Sequence, residues 1–348
     1  MTSSIPPASF FHPLRPSMKR RCASHDYRSR CMYMVTLVVE GRRQLLGTLV
    51  GDPALPNGTP GSAQLRPSPL GEAVIDEWRA LPSLHPEVRN MALQLMPDHL
   101  HLIVYVTRPM PQPLGSVVAA FEVRCNNRYQ TLVGEGKAEP VSQHVTAERE
   151  AAKREGRRSR YGLLFENGFN DKILWREDEL KAWRAYLVDN PRRLLLKRQH
   201  PDLFYVKHDI RAGGFTFEAM GNELLLVYPR RLFVQCSRKL TETDIAALLA
   251  SAERDFSEGT VFVSSSVSPG EKAVMHRAFE RRCPVVVLRD NGFGQYEKPG
   301  GRAFDACAEG RMLLLAPWQH HDDRRAITRE QCLTLNAMAE AISTDRLL

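Results

Sequence analysis

His99 and His101 stand two residues apart at the head of the apolar run Leu102–Val106. Side chains alternate across a strand, so both imidazoles leave the same face, close enough to grip one metal ion. By itself such a pair also reads as two unligated histidines. A second group of chemically capable residues lies in Trp183-Arg184-Ala185-Tyr186-Leu187-Val188-Asp189-Asn190-Pro191. It closes a segment that begins near Glu177 and has helical apolar spacing through Leu180, Trp183 and Leu187. Pro191 is expected to stop that helix, which puts Tyr186 and Asn190 in its last turns. Residues four apart differ by only about 40° around a helix axis, so the phenol and the carboxamide project from one face. A nucleophile and a third metal ligand can arrive together this way. A half-buried core aromatic followed by a C-terminal cap is the plainer reading of the same residues.

The elements that must position these groups form an ordered series. Val35-Thr36-Leu37-Val38-Val39 with Arg42 and Arg43 precedes Leu46-Gly47, and Gly71 to Trp78 leads to Leu81-Pro82. Then come Met96-Pro97-Asp98-His99-Leu100-His101, a helix around Ser116 to Tyr129 and the stretch Gly168 to Leu174. Tyr186 and Asp189-Asn190-Pro191-Arg192-Arg193 complete the series. In order and spacing this resembles the single-tyrosine HUH transposases, and within them the REP-associated tyrosine transposases of bacteria, over residues 31–205.

The resemblance implies roles position by position. His99 and His101 match the two histidine ligands, Asn190 the polar ligand one turn after the nucleophile, and Tyr186 the tyrosine that attacks DNA. Two residues depart from the pattern: Asp98 stands where many relatives carry Asn, and Glu122 where many carry Lys. The first bears on the hydrogen bonding of a ligand, the second on a DNA contact, and neither removes a catalytic group. A phosphodiester is anionic and a free phenol, with a pKa near 10, is largely protonated at neutral pH. Attack therefore needs the phosphate's charge neutralised and the phenol placed in line. A divalent ion on mixed nitrogen and oxygen ligands with open positions suits the task, and Mg²⁺ or Mn²⁺ is the expected cofactor. The implied product is a 5′-phosphotyrosine with a free 3′-hydroxyl, which can later reverse the reaction and rejoin strands.

Charge is distributed in keeping with this. Residues 1–205 hold 29 Lys and Arg against 21 Asp and Glu, and residues 206–348 hold 19 of each, so the whole net +8 lies in the first part. Arg192, Arg193, Lys197 and Arg198 follow the proposed nucleophile directly and are the candidate DNA-binding cations; a solvated basic surface is the alternative. Seven cysteines, an odd number without C-x-x-C spacing, argue for reduced thiols and a cytoplasmic location. Residues 1–30, rich in Pro, Ser and Arg, read as a disordered basic tail with no signal-peptide core, and no apolar run reaches the roughly 18 residues of a membrane span. A charged insertion over about 134–160 contains a short helix around Glu148 to Glu155.

Within 31–205 the pattern predicts an α+β fold, an antiparallel sheet with helices on one face. The family resemblance adds a ferredoxin-like HUH core with the metal site on the central strands. Residues 206–348 read differently. Apolar runs at Leu232–Cys236, Thr260–Ser264, Pro284–Leu288 and Met312–Ala316 alternate with amphipathic helices, which predicts a Rossmann-like α/β domain with a mainly parallel sheet covered on both faces. This half resembles the nucleotide-binding domains of the DNA-processing and lysine-decarboxylase-like (LOG) group, yet has neither a G-x-G-x-x-G fingerprint nor a P-loop. Ser264-Ser265-Ser266 leading into Ser268-Pro269-Gly270-Glu271 offers hydroxyls and helix amides to an anion, or a simple N-cap at Ser268. Asn291-Gly292-Phe293-Gly294 sits where ligands of open α/β sheets collect, and a plain turn explains it equally well.

The leading expectation is a metal-dependent, tyrosine-nucleophile DNA transposase or domesticated relative acting on single-stranded or hairpin DNA. The alternative is a protein that holds nucleic acid without cutting while its Rossmann-like half senses a nucleotide. Dimerisation, a nucleotide ligand or docking to a protein are the roles open to that half. A (β/α)₈ amidohydrolase is excluded, because the chain lacks ligand histidines on later strands.

Overall fold

The computed structural model describes residues 22, 24–157, 159, 161–294, 297–323 and 325–346. The expected tail falls mostly on residues 1–21, which lie outside that set. Tyr27 is buried and its hydroxyl donates to Asp171 Oδ2 at 2.7 Å. The chain divides into two compact units between Leu195 and Leu196.

In the first unit the strands are β1 (Cys31–Val38), β2 (Gly47–Val50) and β3 (Gln64–Pro67), followed by helix α1 (Pro69–Leu84). Next come β4 (Val88–Met96), β5 (His99–Val106), α2 (Leu114–Gly134), α3 (Gln143–Arg154), β6 (Asn170–Leu174) and α4 (Glu177–Gln199). The main sheet has the order β4-β5-β1-β6 and every pair in it is antiparallel; β2 and β3 form a separate hairpin. β-branched and leucine-rich runs favour these strands because each residue packs on a pleated surface. Tyr33, Val35 and Leu37 of β1 and Leu100, Leu102, Val104 and Val106 of β5 face α1 and α2 in the main core. Across that core Glu77 of α1 accepts from Arg124 and Arg128 of α2, at 2.5 and 3.0 Å, so the buried carboxylate is paired.

The alternate residues build the opposite face. Met34, Ile103 and Leu174 of the sheet pack against Leu180 and Leu187 of α4, with Trp183 beside them. The sheet thus carries helices on both faces rather than one as expected. The reason is visible in β1 and β5, whose outward positions Met34 and Ile103 are apolar and need cover as much as the inward ones do. Burying each leucine of α4 contributes about 1.5–3 kcal/mol. That packing also explains a second departure: α4 continues through Pro191 to Gln199 instead of ending there. Pro191 cannot donate to the Leu187 carbonyl, an interior cost of about 3 kcal/mol. Burial of Leu187 and Pro191 offsets it, and half-buried Leu194 and Leu195 prolong the apolar side of the helix.

The second unit contains β7 (Lys207–Ala212), β8 (Phe215–Gly221), β9 (Arg231–Phe233), α5 (Glu242–Ser251), α6 (Glu253–Ser257), β10 (Val261–Ser264) and α7 (Pro269–Glu280). It continues with β11 (Val285–Leu288), α8 (Gly301–Ala308), β12 (Met312–Ala316), α9 (Arg329–Ile342) and β13 (Asp345–Arg346). Its seven-stranded sheet runs β13-β9-β10-β11-β12-β8-β7. The first five strands are mutually parallel, and an antiparallel hairpin, β7 and β8, extends the edge beyond the parallel sheet that the sequence predicts. Phe256, Val274, Ala278 and Phe304 cover one face, and Leu335, Met338 and Ile342 of α9 the other. Among the described residues no helix is long and apolar enough to cross a membrane, and all seven cysteines are free thiols.

Candidate catalytic centre

Since β1 and β5 pair antiparallel, Thr36 lies opposite His101 and Val38 opposite His99. His99 and His101 share the face covered by α4, and their rings stand 4.9 Å apart, edge to face. Each imidazole is held through Nδ1. Thr36 Oγ1 lies 2.8 Å from Nδ1 of His101, and Asp98 Oδ1 lies 2.7 Å from Nδ1 of His99. A second-layer partner on one ring nitrogen fixes ring orientation and directs Nε2 away from it, the arrangement found around metal-binding histidines. Burial pushes the His101 imidazole down to about 3, and the neighbouring His99 adds to the effect. His101 is therefore neutral at physiological pH, with a lone pair to give. Burial works against the Asp98 carboxylate, but the hydrogen bond and charge of His99, with Arg42 at 3.3 Å, hold it below the usual aspartate range.

The docking of α4 brings Tyr186 to this pair. Its ring centroid is 6.5 Å from that of His101 and 5.3 Å from that of Trp183. The Tyr186 side chain is 40% exposed, so substrate can reach it. Asn190, one helical turn further on, is buried, and its Nδ2 has no hydrogen-bond partner among the described residues. Leaving a buried amide atom unpaired costs about 1–3 kcal/mol. A carboxamide carries an acceptor and a donor that exchange places by half a turn, so this residue is suited to a ligand that folding alone does not provide.

The four proposed DNA-binding cations fare differently. Arg193 places its guanidinium carbon 5.6 Å from the Tyr186 ring centroid, beside the phenol. Arg192 is held by Asp189 of its own helix at 2.6 Å. Lys197 and Arg198 occupy the last turn of α4, beyond the division between the units. Of the two residues that depart from the family pattern, Asp98 holds His99, and Glu122 is partly buried on α2. Sequence reasoning missed Thr36, Lys172 and Asn57. Lys172 Nζ lies 4.8 Å from the Trp183 ring centroid, and Asn57 Nδ2 donates to Asp189 Oδ1 at 2.8 Å. Thr36 was detectable as a polar residue on the helix-facing side of β1; the long-range partners of the other two carry no local signal.

Among the described residues no group of three or more His, Cys, Asp and Glu is placed to hold a metal ion. The candidate donors are two imidazoles and a carboxamide. In the second unit the anion-binding reading of the Ser264–Glu271 segment meets an obstacle. Ser268 caps α7, and the Glu271 carboxylate accepts from the backbone amides of Val267, Ser268 and Cys236. The protein's own carboxylate occupies the place an external anion would take. Asn291 is likewise engaged, exchanging two hydrogen bonds with the backbone of His321.

No family model matches the chain. An uncharacterized protein of Haemophilus influenzae is 21% identical over 182 residues, covering 46% of this chain and 90% of that protein. Among solved structures, DNA processing protein A of Helicobacter pylori, described for its mode of binding single-stranded DNA, is 14% identical with a TM-score of 0.31, over 41% of this chain and 67% of its own. DNA processing protein A of Streptococcus pneumoniae is also 14% identical with a TM-score of 0.31, over 45% of this chain and 59% of its own. A protein of Deinococcus radiodurans described as a candidate transposase is 14% identical with a TM-score of 0.24, over 49% of this chain and 97% of its own. These likenesses are too slight to bear on function, which has to be read from the site itself.

Proposed function

We infer that the protein is a DNA strand transferase of the single-tyrosine HUH type, related to the REP-associated tyrosine transposases, with Tyr186 as nucleophile and single-stranded or hairpin DNA as substrate. The observation that carries this reading is the meeting of Tyr186, from α4, with the His99 and His101 pair of β5, where each ring is anchored through Nδ1. The strand order β4-β5-β1-β6, with α1 leading into β4 and α2 following β5, supports the ferredoxin-like HUH arrangement and sets the histidines on a central strand.

The residues divide the work as follows. The Tyr186 oxygen attacks phosphorus, its proton passes to solvent, the bond to the 3′-oxygen breaks, and that oxygen takes up a proton to leave a 3′-hydroxyl. A 5′-phosphotyrosine remains, and the reverse attack restores the strand. Arg193 supplies positive charge beside the phenol, and the packing of Leu180, Trp183 and Leu187 holds the ring near His101. His99, His101 and Asn190 would hold Mg²⁺ or Mn²⁺, and when bound the ion neutralises charge on the phosphate and the departing oxygen. The donor set fits: a neutral buried imidazole, a second imidazole anchored by a carboxylate, and a buried carboxamide with an unpaired atom. The basic excess of residues 1–205 supports DNA as partner.

The test is a denaturing-gel assay with hairpin-bearing single-stranded DNA and Mn²⁺. A covalent adduct is expected with the unaltered chain, and Tyr186→Phe should abolish it while leaving binding nearly intact. An adduct that persists in the Phe variant would move the role to another residue such as Tyr161, whose hydroxyl lies 3.0 Å from His144 Nε2.

A further inference from the structure

A cavity of about 390 Å³ opens beside the candidate catalytic centre, within the first unit. Four elements build it: the loop and strand of the β2–β3 hairpin, α1, the outer strand β4, and α4. Its apolar walls include Leu65, Ile75, Leu93, Val188 and Pro191. Its polar side chains are the carboxamides of Asn57, Gln64 and Gln94 and the hydroxyls of Thr59 and Ser62. Among the described residues no charged side chain lines it. The volume is that of a small-molecule pocket, and the lining selects what can enter. A phosphate requires cations or a cluster of aimed amides, neither of which the lining offers, whereas a flat neutral heterocycle needs apolar walls for its faces and amide groups for its edge.

Two links tie the cavity to the catalytic centre. Gln94 pairs directly across the sheet with His101, so its side chain leaves β4 on the face that carries the imidazoles. Its Nε2 donates to the Leu95 carbonyl at 2.9 Å, leaving Oε1 as an acceptor. Asn57 fastens the hairpin loop to α4 through Asp189, three residues past Tyr186. A single strand whose phosphate lies at Tyr186 therefore has a neighbouring base within reach of this pocket. We propose that the cavity framed by Asn57, Gln64 and Gln94 receives one unpaired nucleobase of the DNA strand and sets the sequence preference next to the cleaved phosphate. A base inside a duplex shows only its edges, so occupancy requires an unstacked nucleotide. The inference rests on the proposed function, and its test uses two independent readouts.

The first uses the full chain carrying Tyr186→Phe, so that no cleavage intervenes, and single-stranded oligonucleotides in which 5-iodouracil is walked one position at a time. After irradiation the crosslinked peptide is mapped by mass spectrometry. One position should crosslink to the stretch 57–65 or 93–95. Four oligonucleotides differing only at that position then compete for the chain with and without Gln64→Leu and Gln94→Leu, which keep the size of the side chain but remove the amide. The preference for one base should fall by at least about tenfold, as expected when an amide contact to a base edge is lost. Crosslinks only elsewhere, or an unchanged preference in the double variant, would overturn the pocket; so would failure of the chain to bind any oligonucleotide. The second readout is the Tyr186 adduct of the unaltered chain. Crosslinking in the pocket without any adduct would reject the strand-transfer reading and leave base binding standing, and an adduct indifferent to the neighbouring base would do the reverse.

Discussion

The start of α7 in the second unit and the histidine face of the sheet in the first treat their buried polar groups in opposite ways. In the second, Glu271 is buried at the start of α7 and its carboxylate is satisfied by three backbone amides, while Ser264 donates to the Val234 carbonyl at 3.1 Å. That end of the parallel sheet is closed on itself. In the first, His99 and His101 are anchored through one ring nitrogen each, and Asn190 buries an amide atom without a partner. Polar groups that the fold satisfies contribute to stability; a buried one left without a partner costs stability, which under the proposed function a bound ligand would offset. Charge follows nearly the same division: residues 1–195 hold 27 Lys and Arg against 20 Asp and Glu, net +7, and residues 196–348 hold 21 against 20, net +1.

The comparison breaks most easily at the histidines. His99→Ala or His101→Ala should lower strand cleavage by about a thousandfold or more, since removing one of the main electrostatic contributors to a transition state costs on that order. Asn190→Ala should be milder and partly rescued by Mn²⁺, which binds imidazole sites more tightly than Mg²⁺. Single-turnover cleavage in both metals checks this; full activity of the histidine variants, or cleavage that survives a chelator, would remove the metal from the mechanism.

The charge contrast can be sharpened with fragments. A fragment ending at residue 205, which keeps all of α4, should bind a hairpin oligonucleotide with affinity falling steeply as salt rises. Residues 206–348 should bind the same probe weakly or not at all. Fluorescence anisotropy of both decides, and tight binding by the second fragment alone would reverse the assignment.

Packing beneath Tyr186 gives a smaller effect. Leu187→Ala, in the α4 contact with Met34 and Ile103, should cost about 2–5 kcal/mol of stability in denaturant unfolding. It should also reduce adduct formation, because the helix that positions Tyr186 loses its seat.

Acid should expose the same face. The His101 pKa is about 3 in the folded chain because burial disfavours the imidazolium, against about 6.5 when unfolded. The unfolded state therefore binds the extra proton first, so the stability present above about pH 6.5 is lost progressively as pH falls toward about 3. The slope is about 1.4 kcal/mol per pH unit over that window. Unfolding in chelator across pH 7 to 4 should show it, and His101→Phe should flatten it. In the second unit, Glu271→Gln should cost about 1–3 kcal/mol by weakening the capping interactions, with adduct formation unchanged. A catalytic loss in that variant would show that the two halves are not independent.

Local chemistry made much of this legible in the sequence. Short apolar runs announced strands of both sheets, the spacing of Leu180, Trp183 and Leu187 announced α4, and Ser268 announced the N-cap of α7. Other features depended on neighbours distant in the chain. That α4 crosses the second face of the antiparallel sheet, and runs on past Pro191, follows from the apolar outward positions Met34, Ile103 and Leu174, which no window around Pro191 contains. Residue types and strand periodicity determined that two imidazoles share one face and that a phenol and a carboxamide share another. Only the tertiary structure decided that those two faces meet, that Thr36 and Asp98 turn the rings, and that Asn57 and Gln94 frame a cavity beside them. Periodicity is encoded within a few residues, whereas the pairing of faces is a collective outcome of burying apolar surface across the whole unit.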